Sequence, residues 1–218
     1  MSGNREFLLS GAQVKSSLAP FGVHLSVEQN LRTREYIRLL LKWNQSVSLT
    51  SIVDPSEILV RHFGESMFVC SLLPVENCRL ADLGSGAGFP GLALKIACPG
   101  LRLVLIESNK RKCAFLSEVV RVLEFKDVQV LPMRFNEIRA TPGFAEIITA
   151  RAIGGFSGIL RWAKSALTHR GHAIFWLGGE DTTKVSSSPG WIWQPAVKIP
   201  ESQRRFVLIG RPNPAEDR

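Results

Sequence analysis

From Leu80 onward, short apolar runs alternate with segments whose apolar positions recur every three or four residues. The runs near 80–83, 102–106, 128–131, 145–149 and 172–177 have the length and continuity of strands buried on both faces. The segments near 90–97, 109–124 and 156–167 carry helical spacing. Strand and helix in alternation predict a mostly parallel sheet with helices on both faces. Two further apolar segments, 191–198 (WIWQPAVK) and 204–210 (RRFVLIG), follow without a clear helix between them. They predict an antiparallel hairpin closing one edge, for seven strands in all. Ser186 to Gly190 (SSSPG) reads as a loop.

Before Leu80 the pattern is helical. Leu31, Tyr36, Ile37, Leu39, Leu40, Leu41 and Trp43 suggest a helix over 27–43, with Ser26 as its N-cap. Asp54-Pro55 is a cap followed by proline at the first helical position, which opens a second helix to about Leu73. Residues 1–25 lack strong periodicity and are expected to be partly mobile. The chain therefore divides into a helical N-terminal extension, 1–78, packed on an α/β domain, 79–218, as one compact unit.

The chemistry concentrates where the first strand turns into a helix, at Asp82 to Gly91 (DLGSGAGFPG). Glycines at 84, 86 and 88 allow unusual φ values and let a ligand approach the backbone without meeting a Cβ. Pro90 suits the first helical position. Gly86, Gly88 and Gly91 spell the dinucleotide fingerprint, which alone is a weak signal and leaves a nicotinamide-dependent oxidoreductase open. Read from Asp82, the spacing is DxGxGxG, which looks like the first motif of S-adenosylmethionine-dependent methyltransferases. Glu107 ends the next strand, nineteen residues after Gly88, where a carboxylate accepts hydrogen bonds from ribose hydroxyls. The alternative for Glu107 is a first-turn acid of the following helix.

Composition narrows the classes. At 218 residues and 45% hydrophobic content the chain can bury an ordinary core. It has no apolar run of eighteen residues and no secretory signal pattern, so a cytoplasmic protein with no membrane contact is expected. Cys70, Cys78, Cys98 and Cys113 show no CxxC spacing and read as reduced core thiols. His24, His62, His169 and His172 are scattered, and no metal is predicted. Net charge is +8, with ten basic and five acidic residues in 151–218. That excess is an electrostatic footprint for a phosphate backbone.

Four stretches together resemble one family. They are Trp43 to Ser66 (WNQSVSLTSIVDPSEILVRHFGES), Asp82 to Leu116, Ile148 to Ala152 (ITARA) and Arg204 to Gly210, collinear over most of the chain. The glycine turn followed by Phe89-Pro90-Gly91 and then by Glu107-Ser108-Asn109-Lys110-Arg111 is similar to the bacterial small-subunit rRNA guanine-N7 methyltransferases, also called glucose-inhibited division protein B. The resemblance implies a Rossmann-like, class I S-adenosylmethionine-dependent methyltransferase sheet. It implies methyl transfer to N7 of guanine 527 of 16S rRNA, with the 30S subunit as partner, and nothing demands more than a monomer. Other methyl acceptors, and a non-catalytic RNA-binding assembly protein on the same fold, are the competing readings.

Carried over by position, the cofactor contacts fall on Gly84, Phe89, Phe135, Asn136 and Arg151, beside Asp82, Gly86, Gly88 and Glu107 from the motif. Phe135 and Asn136 stand where the family usually has a small residue and Glu. Leu177-Gly178-Gly179 replaces a frequent Lys-Gly, and Glu65-Ser66 replaces Asp-Ser. No catalytic base is expected; Arg134 and Arg151 are assigned to positioning. Arg61, His62, Lys110, Arg111, Arg134, Arg204 and Arg205 are the candidate RNA contacts, His62 by itself reading as a satisfied structural histidine. Lys112 and Arg121 read as a solvated helix face or salt bridge. Trp162 and Trp176 are expected in the core, and Trp191 and Trp193 over the sheet edge.

Overall fold

The computed structural model describes residues 8–152 and 154–216. Its centre is a sheet in the order β3-β2-β1-β4-β5-β8-β6, with β7 paired to β8. β1 (Arg79–Leu83), β2 (Arg102–Ile106), β3 (Val128–Leu131), β4 (Ala145–Arg151) and β5 (Leu167–Gly178) are parallel to one another. β8 (Arg205–Pro212) runs antiparallel between β5 and β6 (Trp191–Trp193). The strand order reverses at β1, which pairs β2 on one side and β4 on the other. At such a switch point the loops after adjacent strands leave in opposite directions and open a crevice at the strand C-termini.

The sheet is covered by α5 (Gly91–Ala97) and α6 (Lys110–Val122) on one face, and by α7 (Phe156–Ala166) on the other. The N-terminal helices add a layer over α5 and α6. In α2 (Val27–Asn44), Ser26 Oγ accepts from the Gln29 amide at 3.2 Å and Gln29 Oε1 accepts from the Ser26 amide at 2.7 Å, a reciprocal cap. The same Gln29 side chain donates to the carbonyls of Ile96 and Ala97, at the end of α5 where a helix leaves acceptors unpaired. Tyr36, Ile37 and Leu40 of α2 are fully buried in the core shared with the sheet.

The departures from expectation are local. α1 (Gly11–Leu18) is a capped helix inside the stretch expected to be mobile, held by a Ser10–Gln13 capping box and burying only Val14 and Leu18. Two apolar contacts in eight residues are too few for a periodic signal. The helix expected over 55–73 is α-helical in α3 (Pro55–Ile58), widens to a π turn over Leu59–Gly64, and resumes as α4 (Glu65–Met67) before a 3₁₀ end. Gly91, not Pro90, begins α5, with Pro90 as its N-cap. The expected strand 191–198 is broken into β6 and β7 (Val197–Lys198), because Pro195 between them has no N–H for the ladder. Among the described residues there are thus eight strands, and β8 is interior while β6 is an edge. A further helix, α8 (Gly179–Ser186), buries only Val185 and left no periodic trace.

Candidate functional site

Beyond Leu83 the chain turns through Gly84, Gly86 and Gly88 at φ +66°, +56° and +86°. A Cβ on Gly86 would meet nothing nearer than the Gly84 carbonyl oxygen at 3.7 Å, so it would project into open space. That space is a cavity of about 220 Å³. Its floor is Gly84 to Ala87 with Phe89; Glu107, Lys112, Arg151, His62 and Leu49 close the sides. Gly88 lies below the floor, where a Cβ would strike Tyr36 and Leu92. Tyr36 donates its hydroxyl to the Ala87 carbonyl at 2.6 Å and stacks on Phe89, so α2 braces the turn from beneath.

Asp82 is fully buried under the turn. Its carboxylate accepts from Thr149 Oγ1 at 2.7 Å and from the Gly91 amide at 3.2 Å, tying β1 to β4 and to the start of α5. Burial pushes this carboxyl up to about 7, against the pull of those hydrogen bonds. Asp82 therefore shapes the turn and does not line the cavity, a correction to its place among the cofactor contacts. Glu107 does line it. One oxygen accepts from the Gly86 amide at 2.9 Å and the other from the Asn109 amide at 2.8 Å. A carboxylate has about four acceptor positions, so each oxygen keeps one for a ligand hydroxyl.

On the far wall three arginines converge on Glu65, whose side chain is 2% exposed. Arg151 Nη2 lies 3.0 Å and Arg205 Nη1 2.9 Å from Oε2. Arg61 Nε is 3.2 Å from Oε1, an ion pair out of line for a hydrogen bond. Arg151 also donates to Ser66 Oγ and to the Arg61 carbonyl. Burial raises the Glu65 carboxyl, opposed by the Arg151 and Arg61 charges. His62 sits in the π turn, stacked on Phe89, with Nε2 2.8 Å from Thr50 Oγ1. Thr50 Oγ1 also accepts from the Ile52 amide, and which partner donates in the Thr50–His62 pair is set by the imidazole tautomer. Nδ1 is buried without a partner. Desolvation, helped by Arg151 and Arg61, lowers the imidazole pKa to about 3, so the ring is neutral.

The sequence pattern of the family described as rRNA small subunit methyltransferase G matches residues 29–188, nearly three quarters of the chain. The chain belongs to that family. Among similar proteins are ribosomal RNA small subunit methyltransferases G of Acetivibrio thermocellus, 34% identical with 84% of this chain and 74% of the relative covered, and of Gluconobacter oxydans, 38% identical with 77% and 84% covered. In fold it is similar to a SAM-dependent methyltransferase from Aquifex aeolicus, with TM-score 0.60, 16% identity, and coverage of 72% and 93%. As a methyltransferase of this family and fold, the chain takes S-adenosylmethionine as its methyl donor. The residues present fit that cofactor: a Cβ-free floor at Gly86, a carboxylate with spare acceptor positions at Glu107, and a neutral imidazole that does not repel a sulfonium.

Of the residues the sequence singled out, the fold brings Gly84, Gly86, Phe89, Glu107, Arg151 and His62 to one cavity. Phe135 and Asn136 do not line it. The Phe135 ring packs on Trp162, 6.0 Å between centroids, and Asn136 is exposed. Lys112, expected on a solvated face, lines the cavity instead, because Asn109 caps α6 and the first turn of that helix faces the crevice. Arg121 pairs with Glu118 on the surface as expected. Lys110, Arg111, Arg134 and Arg204 are exposed, whereas Arg205 is drawn in to Glu65. His62, expected as a satisfied structural histidine, is paired at Nε2 alone and leaves Nδ1 without a partner. Trp162 and Trp176 are buried, and Trp191 and Trp193 stack 5.2 Å apart at the edge. The convergence on Glu65 was missed, and its one local signal was the i, i+4 spacing of Arg61 and Glu65. All four cysteines are free thiols. No described helix is long and apolar enough to cross a membrane.

Proposed function

We propose that this chain methylates N7 of guanine 527 in 16S rRNA by direct in-line transfer without a general base. The observation that carries the reading is the cavity at the β1/β4 switch point, floored by Gly84 to Ala87 with Phe89 and walled by Glu107 and Arg151, in a chain of this family. S-adenosylmethionine, when bound, supplies an electrophilic methyl group on a sulfonium sulfur. Glu107 would hold the ribose hydroxyls, Phe89 the apolar side of the nucleoside, and Arg151 and the turn amides the methionyl end. The guanine N7 lone pair lies in the ring plane, so attack on the methyl carbon releases no proton. This agrees with a cavity whose imidazole, its pKa lowered to about 3, is a weak base, and whose own acid, Glu107, is engaged by the Gly86 and Asn109 amides. The residues' task is orientation, and holding reactants at near-attack geometry lowers a barrier by up to roughly 7–11 kcal/mol. The exposed Lys110, Arg111, Arg134 and Arg204, with Arg61, are the cations we assign to rRNA phosphates.

The test is transfer of radiolabelled methyl from S-adenosylmethionine to 30S subunits lacking the modification, followed by mapping of the label. Label at N7 of guanine 527 is expected. Label elsewhere would change the acceptor, and no label with cofactor binding intact would leave an assembly role on the same fold.

A further inference from the structure

A second cavity, about 570 Å³, opens beside the first at the C-terminal ends of β4 and β5. The two share Ala152 as a common wall. Ala152 sits at φ +53°, a left-handed conformation that strains any residue with a Cβ and that concentrates at ligand sites. At Gly154, Gly155 and Gly178 the wall is bare backbone, where an added Cβ would meet nothing within 4 Å. Phe156 and Trp176 supply aromatic surface, the indole pinned by its bond to the Glu65 carbonyl at 2.7 Å. The charged groups of the lining are Asp181 and Lys184, both on α8 and 3.8 Å apart.

This combination suits a flat, polar-edged aromatic ring. Guanine carries two donors, N1–H and the 2-amino group, on the edge opposite N7, and a carboxylate accepts both at once. Adenine presents an acceptor at N1 and would be repelled. The order along the sheet fixes the direction. The first cavity lies over β1, β2 and β4, the second over β4 and β5, and α8 follows β5. A base with N7 turned toward the first cavity therefore turns its donor edge toward α8.

We propose that the second cavity receives the acceptor guanine, with its ring against Phe156 and its N1–H and 2-amino donors on the Asp181 carboxylate. Asp181 is then the residue that selects guanine. This rests on the N7-guanine reading above.

The experiment compares single-turnover methylation of 30S subunits assembled with guanosine or inosine at position 527. Inosine keeps N7, O6 and N1–H and lacks only the 2-amino group. The parent enzyme is expected to favour guanosine roughly ten- to a hundredfold, the value of one hydrogen bond to a charged group. In Asp181→Ala, and in Asp181→Asn as a second variant of native size, the ratio is expected to fall to within about threefold of unity. S-adenosylhomocysteine affinity by calorimetry should stay at the parent value in both, showing that the first cavity is intact. An independent readout is the fluorescence of 8-vinylguanosine at position 527, which keeps N7, N1–H and the 2-amino group, expected to be quenched by the parent and less so by Phe156→Leu. A guanosine preference retained by both Asp181 variants, or quenching indifferent to Phe156, would overturn the assignment. If the parent labels neither subunit, the N7-guanine reading itself fails.

Discussion

Glu65→Gln isolates the element that holds Arg151 in place. The carboxylate is almost fully buried and accepts from Arg151 and Arg205 at 3.0 and 2.9 Å. At 3 Å and an effective dielectric of about 20, one such pair of charges attracts by roughly 5–6 kcal/mol before desolvation. The gain is set against the cost of burying the ions, but loss of one partner leaves the others uncompensated, and such losses cost about 3–5 kcal/mol. Arg151, 12% exposed, carries most of this; Arg205 at 27% and Arg61 at 39% are partly screened and count for less. Glutamine keeps the shape but turns an N–H₂ toward a guanidinium. We therefore expect a loss of about 3 kcal/mol, which in a chain of this size lowers the unfolding midpoint by roughly 6–12 °C. Glu65→Asp retains the charge and is expected to lose less. Thermal unfolding followed by circular dichroism measures this, and a double-mutant cycle with Arg151→Met should show coupling of about 2 kcal/mol. A midpoint for Glu65→Gln within 2 °C of the parent would refute the argument that Glu65 is what anchors the arginines.

Three further outcomes are expected. The folded protein holds a proton on Asp82, with its pKa near 7, that the unfolded chain releases near pH 4, so this stabilisation is complete below pH 4 and lost as pH rises through 7. Asp82→Asn mimics the protonated state and should gain stability over the parent at pH 8 but not at pH 4; urea unfolding giving the same difference at both would contradict this. Tyr36→Phe leaves the buried Ala87 carbonyl unpaired and should cost about 1–3 kcal/mol in urea unfolding, whereas no loss would mean the turn does not depend on α2. Gly86→Val places a branched side chain in the cavity at φ +56° and should abolish S-adenosylhomocysteine binding by calorimetry. Unchanged affinity would move the cofactor away from this floor.

The five parallel strands and the glycine turn were legible because their signals are local. A strand buried on both faces must be apolar throughout, and a turn at positive φ calls for glycine at fixed spacing. α1 and α8 were illegible for the opposite reason, since each buries only one or two side chains. Lys112 and Lys110 sit two residues apart in one helix, yet one lines the cavity and the other is solvent-exposed; the rotation of α6 against the sheet separates them.

The chain by itself determined the alternation of strand and helix, the turn at Asp82–Gly91, and Glu107 at the end of the next strand, all properties of contiguous residues. Tertiary structure alone decided which charges meet. Glu65, Arg151 and Arg205 are separated by 86 and 140 positions, and no pattern in the sequence joins them. They meet because an N-terminal helix packs across the C-terminal ends of the strands, where burial obliges each charge to find its opposite.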